Sequence, residues 1–136
     1  MITMNAERVA HTLAVGMRGW DAFCKGMTTN EWDDFLAMLT DDFEFFFPSG
    51  EWNGLHHGKA KAAEYFALVK KIAPGGFTIV ELMHTSVNED TIVFEFKDEA
   101  LMFGKEYKNR VAMSWNIRGE QICGQREYFG SDGKSY

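Results

Sequence analysis

From Phe77 to Phe129 the sequence is four long β-forming runs with only short turns between them, and everything helical lies before them. The runs are Phe77–Val87, Thr91–Phe103, Glu106–Ile117 and Ile122–Phe129, rich in β-branched and aromatic residues. Strands joined by turns this short pair antiparallel, and a meander with one apolar face must cover that face. The preceding residues supply the cover. Ala6 to Met27 is apolar at helical spacing through Val9, Leu13, Met17, Trp20, Cys24 and Met27. Gly16, Gly19 and Gly26 weaken this helix, so packing must stabilise it more than propensity does. Thr28, Thr29 and Asn30 offer caps for a second helix, Glu31 to Leu39, which Asp41-Asp42 ends. Phe43 to Phe47 reads as a short strand stopped by Pro48-Ser49-Gly50. A loop to Gly58 leads into a third helix, Lys59 to Ile72, closed by Pro74-Gly75-Gly76. Helices first and a meander second specify an α+β fold, helices on one face of the sheet, in one domain of 136 residues.

The turns register the sheet. A two-residue turn at Gly104-Lys105 pairs Phe103 with Glu106, and thence Phe96 with Met113 and Phe94 with Trp115 on one face, Glu99 with Arg110 on the other. The turn at Asn88–Thr91 pairs Val87 with Ile92, Thr85 with Phe94 and Met83 with Phe96. Two independent turns thus select the same apolar face. The last hairpin stays open. A two-residue turn at Gly119-Glu120 sends Arg126 and Tyr128 inward, whereas a three-residue turn, Gly119 to Gln121, pairs Met113 with Glu127 and Val111 with Phe129.

Aromatic residues make up 15% of the chain and twelve of them are Phe, which brings area without a polar handle. A formal charge of −6 argues against nucleic acid or an anionic membrane as partner, since both demand clustered Lys and Arg. Cys24 and Cys123, far apart and among apolar neighbours, read as free thiols in a reducing compartment. Glu7, Arg8 and His11 interrupt the stretch from Met1 to Met17, against a signal peptide or membrane span. The expected location is the cytoplasm. No His, Cys or carboxylate spacing resembles a metal site, and no Gly-rich fingerprint points to a nucleotide; no cofactor is expected.

The order of elements, the Asp-Asp-Phe-Glu-Phe strand, the Gly-led third helix and the closing Arg-Glu-Tyr-Phe resemble the nuclear transport factor 2-like superfamily, in its SnoaL-like branch. That branch holds polyketide cyclases, ketosteroid isomerases and limonene epoxide hydrolases. The resemblance implies a conical half-barrel, a pocket between sheet and helices, and a dimer through the sheet's outer face. By position it also shows losses. The isomerases' general base falls at Phe47, their oxyanion-hole Tyr at about Phe23 and their protonated Asp at about Met113. The hydrolase's water-holding pair falls at Phe45 and Phe47, and its Arg and Asp at Phe94 and Phe96. One acid survives: the catalytic Asp of the final strand, in hydrolase and cyclases alike, matches Glu127. This match favours Glu127 and Phe129 facing in.

Glu127, inward among Phe and Met, would have its pKa raised by desolvation into the range of a general acid or base. His56-His57, before the third helix, would sit near the pocket mouth, with His57 as a proton relay. Trp20, Met27, Phe45, Phe47, Phe94, Phe96, Met113 and Phe129 are the expected apolar lining, with Asn109 to orient a ligand carbonyl. Two functions follow. One is acid–base chemistry on an apolar ring compound by Glu127: cyclisation, isomerisation or dehydration. The other is a carrier or interaction module that keeps the pocket without the chemistry. Leu82, His84, Val93, Leu101, Ala112 and Tyr128 form an apolar strip on the outer face, where a homodimer is expected.

Overall fold

The computed structural model describes residues 4–134; residues 1–3, which open the stretch read against a signal peptide, and residues 135–136 lie outside it. Helix α1 (Ala6–Thr29) starts where the Asn5 side chain accepts the Arg8 N–H at 3.1 Å. It ends at Asn30, whose left-handed φ of 61° turns the chain while its N–H closes on the Gly26 carbonyl. Asn30 therefore caps the first helix rather than opening the second. Helix α2 (Asp33–Ala37) is a single short stretch, and Leu39 already belongs to strand β1 (Leu39–Phe47), where it pairs with Ile122. Asp41-Asp42 consequently lie within the strand, Asp42 held by a two-pronged ion pair with Arg118 at 3.0 and 3.1 Å. Strand β2 (Gly54–His57), expected as loop, pairs antiparallel with β1. Helix α3 (Lys59–Ile72) and strands β3 (Phe77–Val87), β4 (Thr91–Met102), β5 (Lys105–Arg118) and β6 (Gln121–Phe129) complete the chain.

The six strands lie in the order β2-β1-β6-β5-β4-β3, with β1 parallel to β6 and every other pair antiparallel. The β4–β5 turn falls one residue earlier than expected, at Phe103-Gly104, with φ of 53° and 74°. A two-residue hairpin turn of this kind needs positive φ at both central positions, and Gly104 serves as the second. Each β4 residue therefore meets a partner two places earlier: Phe96 faces Val111, Phe94 faces Met113, and Glu99 faces Lys108 rather than Arg110. A shift of two keeps every side chain on its face. In β3, Val87–Ile92 and Thr85–Phe94 stand as expected, but a bulge between Leu82 and His84 places Leu82, not Met83, opposite Phe96.

The last hairpin unites both alternatives. The turn has two residues, Gly119-Glu120, pairing Arg118 with Gln121, yet Met113 faces Glu127 and Val111 faces Phe129. The register shift between Asn116 and Ile117 absorbs the difference, with Cys123 as the extra residue on β6. Bulges bend strands, and with those in β3 they curl the sheet around its apolar face.

Helix α1 lies on this concave face. A Cβ at Gly16 would meet Ile92 at 2.6 Å, and one at Gly19 would meet both Trp115 and Ile122 at 2.9 Å. The weak helix formers are thus where helix and sheet approach most closely. Trp20 stacks on Phe94 at 4.6 Å, and Phe23, Phe35 and Trp115 pack edge-on and tilted beneath. Among the described residues no helix is long and apolar enough to cross a membrane. Cys24 and Cys123 are free, and burial followed by the nearby Asp21 pushes the Cys24 thiol up to about 11.

Candidate functional site

Helix α1 packs down on Ile92, Trp115 and Ile122 at Gly16 and Gly19, and between its later residues, α3 and the sheet a space remains. There lies a cavity of about 590 Å³. Strands β4, β5 and β6 supply Asp98, Tyr107, Val111, Gln125, Glu127 and Phe129. Helix α1 adds Phe23 and Met27, and α3 adds Tyr65, Phe66 and Val69. Trp52, in the loop after β1, and Met102 and Phe103, at the hairpin tip, border it further.

The expected site residues divide. Glu127, Met27, Phe47 and Phe129 line the cavity. Trp20, Phe94, Phe96 and Met113 do not; all four are buried in the core, where Trp20 of α1 packs on Phe94 and Phe96 of the sheet. Phe45 is buried between Phe43 and the Trp52 and His56 rings, also off the cavity wall. Asn109 is buried behind it. Its Nδ2 donates to the Tyr107 hydroxyl at 2.8 Å, and its Oδ1 accepts from Ser131 at 2.7 Å and from the Arg110 N–H at 2.8 Å. It holds Tyr107 and lies off the cavity wall. His57 points away from the cavity into solvent, 3.1 Å from the Glu44 carboxylate. The alternation along β2 turns His56 in instead, against Phe45, with Nε2 2.7 Å from the Trp52 carbonyl.

The electrostatics are those of a site with acids and no base beside them. Glu127 is 8% exposed, and no Lys, Arg or His lies among the lining residues. Burial, reinforced by the charge of Asp98, pushes its carboxyl up to about 8. Asp98 is 3% exposed; burial pushes it up to about 7, against a smaller opposing pull from its own backbone. Its Oδ1 has no hydrogen-bond partner. Burial, with Glu127 and Asp98 as neighbours, raises the phenols of Tyr65 and Tyr107 above their ordinary range, so both keep their protons. Tyr107 accepts from Asn109, which leaves its own hydrogen to donate. Asp98 went unnoticed in the sequence, although the alternation Ile92, Phe94, Phe96 continues to it directly. Trp52 carries no such signal. Among the described residues no cluster of His, Cys, Asp and Glu is arranged to hold a metal.

The SnoaL-like domain family model matches residues 20–125. An NTF2-like protein from Anabaena variabilis is 49% identical, aligned over 100% of this chain and 99% of its own, with a TM-score of 0.90. A Xanthomonas campestris protein proposed to be a polyketide cyclase shares the fold at 16% identity, covering 90% of this chain and 93% of its own, with a TM-score of 0.75. So does an LEH-like epoxide hydrolase from M. tuberculosis, at 16% identity, 85% and 83% coverage and a TM-score of 0.69. No curated protein matches.

Proposed function

The chain belongs to the SnoaL-like domain family, and from that premise we propose that its cavity takes a compact, mostly apolar ring compound on which Glu127 moves a proton. The observation that carries this reading is a carboxyl buried on an aromatic wall and held up to about 8, poised between acid and base near neutral pH. The cavity volume suits a molecule of that kind. With Glu127 ionised, its oxygen takes a proton from a carbon next to a carbonyl, and the Tyr107 hydroxyl supplies a donor for the enolate oxygen. Protonated, Glu127 returns the proton to another carbon or to a leaving hydroxyl. Isomerisation, ring closure and dehydration all draw on these two steps.

The carrier reading has its own support: Phe23, Phe45, Phe47 and Met113 are apolar where the resembled enzymes place polar groups. Deuterium exchange separates the two. A bound ring ketone such as α-tetralone, in D2O, is expected to take up deuterium beside its carbonyl in the presence of the protein. E127Q is expected to slow this by about 10²–10⁴-fold while binding the ketone as before. Binding without exchange would leave the carrier, and no binding would remove both. The proposal extends to assembly, as a homodimer through the outer face of the sheet, where Leu101 and Tyr128 are exposed, whereas Leu82 pairs with the inward Phe96.

A further inference from the structure

The cavity holds two carboxyls that enter from opposite sides of β5, Asp98 from β4 and Glu127 from β6, with Val111 of β5 on the wall as well. An acceptor buried as deeply as Asp98 Oδ1, with no donor from the chain, is costly to leave so. Its donor is therefore to be sought in what enters the cavity. The rest of the wall is aromatic, including Trp32, Trp52, Tyr65, Phe66 and Phe129. Aromatic faces carry negative potential and attract cations.

No Lys, Arg or His lies among the lining residues to fill that role, although Tyr107 has a hydrogen to donate and Trp32 Nε1, like Asp98 Oδ1, is buried without a partner. Tyr65 from α3 and Tyr107 from β5 keep their protons, and Glu51, in the loop after β1, adds a further negative group. Lys61 lies over the outer part of this wall, at Trp52, 4.9 Å from its centroid, with Glu64 at 3.7 Å for a partner.

From this arrangement we infer that the ligand of the Glu127 cavity is an organic ammonium, a protonated amine on an apolar body, with N–H groups donated to Asp98 and Glu127 and its body against the aromatic wall. This rests on the function proposed above and names its substrate class. It also has a consequence for protons. Burial holds the carboxyls of Glu127 and Asp98 up to about 8 and about 7, which favours their protonated forms near neutral pH. An ammonium between them favours both carboxylates, so binding expels roughly one proton or more to solvent.

The test uses cyclohexylmethylammonium and its neutral counterpart of similar size, cyclohexylmethanol, titrated calorimetrically into the protein from pH 6 to 8. An alkylamine stays charged across this range, with a pKa of about 10 as for Lys. The amine is expected to bind about tenfold or more tightly than the alcohol at pH 8, and about tenfold more tightly at pH 8 than at pH 6. Two buffers of different ionisation enthalpy should show about one proton released. D98N and E127Q should each weaken the amine about tenfold while changing alcohol affinity little, the alcohol showing that each variant is folded. An alcohol bound as tightly as the amine, with flat pH dependence, overturns the ammonium and leaves the cavity's proposed function standing. If neither probe binds the folded wild-type protein, both fall.

Discussion

Glu127 sets how the fold's stability responds to pH. Its carboxyl loses its proton near pH 8 in the fold, against 4.5 ordinarily, so the folded state binds the proton more tightly than the unfolded chain does. This group's contribution is complete below pH 4.5 and is lost as pH rises toward about 8. Asp98 acts in the same sense between 3.8 and about 7. In urea denaturation at pH 5 and pH 8, the stability difference between E127Q and wild type is expected to move in the variant's favour by ~1–4 kcal/mol at the higher pH. A difference independent of pH would place Glu127 in water. Gly26 is the second residue with such leverage. A Cβ there would run into the Trp32 ring, which itself borders the cavity. Although alanine favours a helix by about 1 kcal/mol, G26A is expected to lose ~1–3 kcal/mol through overpacking. Lowered thermal stability and weaker ligand uptake would register it.

Among the elements, the β4–β5 hairpin carries an avoidable cost. Phe103 sits at φ 53° and is 75% exposed, so its ring adds little packing to offset a conformation that suits Asn or Gly. F103N would create the Asn-Gly pair that such turns favour and is expected to raise stability by about 1 kcal/mol in chemical denaturation. No gain would mean that Phe103 packs more than its exposure indicates. The hairpins also show what the sequence discloses. Faces of strands were legible because alternation survives an error of two residues, as it did at Phe96 and Val111. The β6 register was legible only through the family's acidic position, because a turn of one length and a bulge at Cys123 combine to mimic a turn of another. The place of the cavity along the sheet was not legible. It depends on where α1 touches down, which Gly16 and Gly19 decide by letting its backbone onto Ile92, Trp115 and Ile122. Hence Phe94, Phe96 and Met113, correctly inward, are buried in the core, while Asp98 on the same face borders open space.

For the whole molecule, the proposed homodimer makes a direct demand. The outer face exposes Leu101 and Tyr128. Light scattering at micromolar concentration is expected to give twice the chain mass, and joint replacement L101K and Y128K to halve it without unfolding the protein. A wild-type monomer would count against the interface. A different consequence follows from the strand order. The sheet's sixth strand in chain order, β6, lies inside it, between β1 and β5. During translation, then, β1 and β2 cannot join the β3–β5 meander until residue 129 has left the ribosome. Until that moment the nascent chain presents two sheet fragments with open edges and an uncovered aromatic face, surfaces that invite pairing with other chains. Chaperone dependence in the cell should therefore peak just before Phe129 emerges, and ribosome-stalled chains ending before Gln121 should remain protease-sensitive where chains carried well past Phe129 become resistant.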